Sequence, residues 1–457
     1  MPDETYCSLS TTARIRLLLG VTTLTLLIGY SGPAKSIPVF ARQTGQNCVA
    51  CHAGGQFPEL TPYGRLFKLT GYTMGSRTVP LSMMAVIDYT KSHNIKDSSG
   101  VKDTADFPKQ NQLLADFGSI FLAGKITDNL GLFSQVTYAH YDHQKDNGDW
   151  VGHLSPDNSE LRYADRFISP SSDLIVGAFA NNNPSMQDVW NSTPAWGYPY
   201  VSSGFALTPG ASTLLGGGAL AQNAVGAGVY AYWDKSLYGE ASLYKTANGP
   251  FSFLHPFDNS QIARIKGGAP YWRLAYTKEF GPQNLMIGTS GMTADIHENS
   301  DVSAPTDRFQ DIGVDAQYQY ILDPHTVTTQ ISYIHEKAKW GDPLAFSNFS
   351  DTLKELKIKG TYIYQAKYGA SLTYNDISGT ADANLYGDAN EITGNPSGNP
   401  GARSWVPEIF WTPLQYLRVG AQYWHYTKFN GASRNYDGFG RSANANDTLF
   451  VYFWGAY

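Results

Sequence analysis

After Pro80 the chain repeatedly alternates apolar and polar side chains with a period of two, in segments of about ten residues. From Asp311 to Tyr320, Ile312, Val314, Ala316, Tyr318 and Tyr320 share one face, and only Asp, Gly and Gln occupy the other. Leu417, Val419, Ala421 and Tyr423 oppose Arg418, Gly420 and Gln422 in the same way, as Leu356, Ile358, Gly360 and Tyr362 oppose Lys357, Lys359 and Thr361. Strands of soluble sandwiches run about five or six residues, whereas a tilted strand of about ten crosses a bilayer. About sixteen segments carry the pattern, near 82–91, 112–124, 129–140, 158–168, 172–181, 224–233, 237–246, 270–280, 283–292, 309–320, 325–336, 351–365, 368–376, 402–411, 415–426 and 447–457. An even number suits a single-chain bacterial barrel, and closure is required because unpaired edges in hydrocarbon cost several kcal/mol per backbone group. The expected fold is therefore mainly β, a transmembrane antiparallel β-barrel over residues 81–457.

The connections point the same way. Short turns (Lys125–Asp128, Asp234–Ser236, Gly281–Pro282 and Ala366–Lys367) alternate with long polar loops, the pattern of periplasmic turns and extracellular loops. Inward charges such as Glu160, Arg162, Glu240, Asp311, Asp315, Lys357 and Lys359 line the expected lumen. The longest loop, Asn182 to Asn223, is either a constriction folded inward, or a shield, or an ordinary surface loop, and Ile377 to Gly401 has the composition of a mobile one. Charged residues are only 16% of the chain, net charge is -6, and no basic block occurs, which excludes nucleic acid as a partner. Outer-membrane lipid is the expected surroundings.

The N-terminus reads as an export signal over residues 1–34: Arg14 and Arg16, then the apolar run Leu17 to Ile28, then Gly32 and Ala34. Of three cysteines, Cys7 falls in that segment, leaving Cys48 and Cys51 in Cys48-Val49-Ala50-Cys51-His52. C-x-x-C-H is the haem c attachment signature: two thiols reach the two vinyl groups of one porphyrin, and the adjoining imidazole lies under its iron. A zinc site would need two further ligands at a matching spacing, and a thioredoxin-like pair would need a βαβ context; neither is present. One covalent haem c, held by Cys48, Cys51 and His52, is expected in a short cytochrome c-like segment, residues 35–80. Thr61-Pro62 opens a helix over Tyr63 to Thr70, which Gly71 stops. Met74, in the turn after that stop, is the candidate sixth ligand; Met83, Met84 and His93 are also within reach.

Phe40-Ala41-Arg42-Gln43-Thr44-Gly45, the haem signature, Phe57-Pro58-Glu59-Leu60 and Gly64-Arg65-Leu66-Phe67-Lys68 together resemble the haem segment of the fused outer-membrane cytochrome-porins, which include iron-oxidising outer-membrane cytochromes. The close match covers about forty residues; the barrel matches in length, strand pattern and aromatic C-terminus. The resemblance implies that Cys48 and Cys51 hold the haem, that His52 ligates iron, and that the module plugs or caps a sixteen-stranded barrel. It also implies electron transfer between an extracellular small-molecule or metal donor and a periplasmic cytochrome or copper protein. Ala53-Gly54-Gly55 is a smaller spacer than the iron oxidases carry, so Fe(II) is one candidate donor, and Fe(II) oxidase activity one candidate activity. The alternatives from other classes are a haem-bearing diffusion porin and a haem enzyme of peroxidase type.

Overall fold

A computed structural model describes residues 38–55, 58–145, 147–197, 199–255, 263–297 and 301–457. The expected export signal at 1–34 lies outside the described residues, as does Phe57. Three short helices come first: α1 (Pro38–Thr44), α2 (Cys48–Cys51) and α3 (Pro62–Leu69). The barrel strands follow: β1 (Leu81–Ser92), β2 (Leu113–Lys125), β3 (Leu130–Gln144), β4 (Trp150–Ser169), β5 (Ser172–Asn181), β6 (Ala224–Trp233), β7 (Leu237–Thr246) and β8 (Ala269–Phe280). The second half is β9 (Gln283–His297), β10 (Thr306–Leu322), β11 (His325–Lys339), β12 (Ser350–Tyr364), β13 (Tyr368–Gly379), β14 (Ala402–Leu414), β15 (Leu417–Lys428) and β16 (Thr448–Ala456). A two-residue piece, Arg264–Ile265, pairs with β9 ahead of β8 and prolongs that stave.

Each strand pairs antiparallel with its sequence neighbours, and β1 pairs with both β2 and β16 (Tyr89 opposite Val451), so the sheet closes. Closure leaves no edge, which is what lets the backbone sit in hydrocarbon. The alternation maps onto the wall as expected: Ile312 and Val314 are 59% and 51% exposed on the outside, while Asp311 and Gln317 beside them are buried inside. Trp233, Phe280, Tyr364, Tyr368 and Trp411 remain exposed where strands meet the short turns, as an interfacial girdle requires. Among the described residues no helix is long and apolar enough to cross a membrane; the strands are the crossing elements.

Two hairpins outrun the expected segments. β3 continues to Gln144 and β4 begins at Trp150; β9 continues to His297 and β10 begins at Thr306. Backbone pairing persists there after the lipid-facing alternation stops, so hydropathy alone placed their ends too early.

The lumen is filled. The helical segment lies inside the barrel on the side of the short turns, and inward wall residues hold it. Tyr230 donates to the Leu69 carbonyl at 2.6 Å, and the Tyr72 hydroxyl donates to Glu160 at 2.7 Å. Arg65 donates to Gln319 at 2.9 Å, and Lys359 pairs with Glu59 at 3.0 Å. Gly71, at φ +72°, sits against the Arg162 carbonyl, where a Cβ would come within 2.9 Å. Of the alternatives for Asn182 to Asn223, the structure realises the inward one: Met186, Asp188 and Trp190 are fully buried. Backbone N–H groups of Leu214 and Leu215 donate to Glu336 and Asp311, and that of Thr213 donates to Glu355. The inward charges thus bind plug and loop rather than line open water, with Lys357 the exception in being half-buried. The Ile377 to Gly401 stretch also departs from expectation: β13 runs to Gly379, and buried Asp382 accepts N–H bonds from Ser347, Asn348, Asn384 and Leu385.

Candidate functional site

α2 is a single turn, so Cys48 and Cys51 at i and i+3 lie on one side of it, and His52 leaves in extended conformation. α3 follows, opened by Thr61, whose hydroxyl accepts from the Gly64 N–H at 3.2 Å with Pro62 in the first turn, as the sequence predicts. Backbone bonds strap the two together: Thr61 donates to the Cys51 carbonyl at 2.9 Å, and Ala53 to that of Glu59 at 2.8 Å. Gly64 makes this approach feasible, because a Cβ there would overlap the Cys51 carbonyl. On the haem reading, Gly64→Ala is therefore expected to misplace Cys51 and His52 and to lower haem incorporation well below that of Gly210→Ala, where φ is not positive and an added Cβ meets nothing within 4 Å. Haem-to-protein ratio by pyridine haemochrome absorbance measures it; equal loading in the two variants would contradict the packing argument.

Cys48, Cys51 and His52 all line one cavity of about 600 Å³ inside the barrel. This lies within the range of about 300–1,000 Å³ usual for cofactor sites. Its walls are largely aromatic: Phe40, Phe67 and Tyr72 from the plug, Phe121 and Phe133 from β2 and β3, Trp196 and Tyr200 from the inward loop, and Trp454 from β16. Phe40 stacks on Tyr72 with centroids 5.5 Å apart and meets Phe67 edge-on at 4.9 Å. Polar groups enter at the margin, among them Lys68, Lys357, Asn191 and Gln135. Two thiols and an imidazole converging on an apolar slot with a few cationic and amide groups fit a porphyrin with carboxylate arms.

Burial, then the neighbouring Cys48, pushes the Cys51 thiol up to about 11, the opposite of the lowered values that make dithiol motifs nucleophilic. Cys48 donates weakly to the Gln415 carbonyl at 3.1 Å in the β14–β15 turn. Lys68, pulled down to about 7 by burial, keeps three oxygens around its Nζ: the carbonyls of Met186 (2.7 Å) and Asp188 (2.6 Å), and Asn191 Oδ1 (3.1 Å). That ring is an ammonium's coordination and ties the plug to the inward loop.

The structure gathers Cys48, Cys51 and His52 but does not bring Met74 to the cavity. Met74 packs on the cluster of Val39, Phe67 and Tyr72, while Met83 and Met84 line the cavity itself. Met84 Sδ lies 3.3 Å from Trp454 Nε1. His93, bonded to the Asn444 carbonyl, belongs to the opposite, long-loop end. Met84→Ala is expected to alter the Soret band and potential more than Met74→Ala; the reverse order would restore Met74 as ligand. The aromatic walls were not singled out from sequence, because residues 38–74 are hardly richer in Phe and Tyr than the rest of the chain.

A closed antiparallel barrel of sixteen staves with an apolar outer belt defines a porin-like outer-membrane β-barrel, here with its lumen occupied by its own chain. No protein-family model and no curated protein matches the sequence. Among solved structures, the chain is similar to a loop L8 deletion mutant of OmpT, an outer membrane protein of Vibrio cholerae (12% identity, 83% of this chain and 99% of that one, TM-score 0.43). It is also similar to an anion-selective porin from Comamonas acidovorans (10% identity, 83% and 99%, TM-score 0.45) and to the outer membrane channel DcaP of Acinetobacter baumannii (12% identity, 82% and 96%, TM-score 0.42).

Proposed function

We propose that this chain is an outer-membrane c-type cytochrome fused to a porin-like barrel, passing electrons between an extracellular donor, Fe(II) among the candidates, and a periplasmic cytochrome or copper protein. The supporting observation is the convergence of Cys48, Cys51 and His52 on one aromatic cavity inside a filled lumen. A c-type haem there supplies a one-electron centre. Cys48 and Cys51 hold it by thioethers and His52 ligates its iron. Lys357, half-buried in the cavity wall, is placed to meet its carboxylates, and the aromatic walls exclude water. No hydrocarbon path of about 30 Å needs to be bridged by a single centre, because a lumen can be approached from both ends.

The two ends differ. Gln46, Asn47, Gln415 and Tyr416 bring the cavity to the short-turn rim, where a periplasmic carrier docks. On the other side residues 195–197 and 199–202 roof it. Outside that roof Tyr141 and Trp150 pack edge-on against Phe205 of the same loop, at 5.8 and 6.5 Å between centroids. The barrel with plug and loop in place favours a conduit over a diffusion porin. The test is reconstitution in liposomes: external Fe(II) is expected to reduce the haem and an enclosed acceptor to reoxidise it. Reduction only by reductants enclosed on the periplasmic face would sink the outside-to-inside reading.

A further inference from the structure

The β3–β4 hairpin stands beyond the expected lipid belt at the long-loop end, and its register breaks there. β3 advances from Ala139 to His143 while β4 advances only from His153 to Val151, so β3 carries extra residues opposite its partner. Such a bulge re-aims side chains. Here it brings Asp142, His143 and His153 together, one ligand atom from each lying within 4.8 Å of the others. Among the described residues this is the one group of three or more such side chains with metal-binding geometry. Asp142 Oδ2 lies 2.9 Å from His143 Nδ1 and 3.4 Å from His153 Nδ1. The imidazoles are 6.3 Å apart between centroids, tilted at 50°.

We propose that Asp142, His143 and His153 bind a divalent first-row transition cation on the outer face of the barrel. Two imidazoles and one carboxylate are borderline ligands, matched to Zn(II), Fe(II), Co(II) or Ni(II), whereas Ca(II) and Mg(II) prefer all-oxygen shells. Ligands at about 2.0–2.2 Å from one ion sit about 3.4 Å apart, so an ion closes the widest gap by at most about 1.4 Å. The side chains have room for that movement: Asp142 is 42%, His143 54% and His153 33% exposed. The coordination sphere stays open toward solvent, with water completing it. Without an ion the Asp142 carboxylate oxygen already sits between the two imidazoles, hydrogen-bonded to His143 at 2.9 Å and 3.4 Å from His153 Nδ1. Asp142 and His143 are neighbours but His153 comes from the next strand, so no spacing in the sequence discloses the set.

This site goes beyond the haem reading, since neither cation nor ligands depend on Cys48, Cys51 or His52. The full-length, untagged, haem-loaded protein in detergent is titrated with Zn(II) by calorimetry, alongside His143→Asn/His153→Asn and Asp142→Asn. One Zn(II) per chain with Kd below about 100 μM is expected, weakened at least about tenfold in the double variant and less in Asp142→Asn. The hairpin tip is exposed, so heat-modifiable gel mobility checks that each barrel is folded. Binding of equal affinity and stoichiometry in the folded double variant overturns the proposal, as does the absence of binding to the parent protein up to about 1 mM Zn(II), which would leave a surface hydrogen-bond cluster only.

Discussion

Replacing both Cys48 and Cys51 with serine is expected to abolish covalent haem completely: no haem stain on a denaturing gel and no haemochrome in acid-acetone-extracted protein, against full retention in the parent. The thiols are the only two cysteines among the described residues, and the third, Cys7, falls in the expected export signal, so no substitute thioether is expected elsewhere. Single variants separate the roles. Cys48→Ser and Cys51→Ser each leave one thioether and shift the haemochrome band, whereas His52→Ala keeps both attachment points and loses the iron ligand. The barrel has its own closed hydrogen-bond network, so its folding is expected to persist in all of them. Haem retained in the double serine variant would remove the basis of the electron-transfer reading.

The second large effect concerns the inward loop. Arg273 of β8 is fully buried and makes a bidentate pair with Asp315 of β10, at 2.7 and 2.8 Å. It also faces Asp188 of the loop at 3.4 Å and lies over the Trp190 ring at 5.7 Å; Ser192 donates to Asp315 at 2.6 Å. One guanidinium thus joins barrel wall to loop. Arg273→Ala leaves two buried carboxylates without their cation, a loss of about 3–5 kcal/mol. The cheapest relief is for Asp188 to swing out with its loop while the barrel stays closed. In planar bilayers the parent protein is expected to be nearly silent and Arg273→Ala to show frequent openings, with new protease cleavage between 183 and 222. Arg273→Lys restores a charge but not the bidentate geometry and is expected to fall between them. A variant as silent and resistant as the parent would mean that Glu336, Asp311 and the Lys68 contacts hold the loop without Arg273.

What sequence disclosed and what it hid divide along physical lines. The wall was legible because lipid outside and polar contacts inside impose a strict period of two, as Ile312 and Asp311 show. The α3 start was legible because capping is local to Thr61 and Pro62. The inward course of Asn182 to Asn223 was not, because its contacts are with residues such as Arg273 and Asp315, far away in the chain and chosen by shape. Met84 was named but not preferred over Met74 for a related reason: which methionine reaches the cavity is set by where the plug docks on β1, not by distance from His52. The Asp142, His143 and His153 set depended on an irregular stretch with two extra β3 residues opposite β4, which no alternation in the sequence announces.

The seam between β1 and β16 carries one more consequence, for the order of manufacture. Cys48 rests against the β14–β15 turn, and the cavity is enclosed by strands from both ends of the chain. A haem-attaching enzyme is itself a folded protein and does not fit inside a closed sixteen-strand wall. On the proposed reading, ligation must precede closure: the exported chain receives its haem while unfolded strands are still escorted through the periplasm, and the membrane-inserting machinery then wraps the barrel around a finished cofactor. Blocking haem supply would accordingly give closed barrels that can no longer be loaded, an effect visible as outer-membrane protein that stays haem-free after the supply is restored.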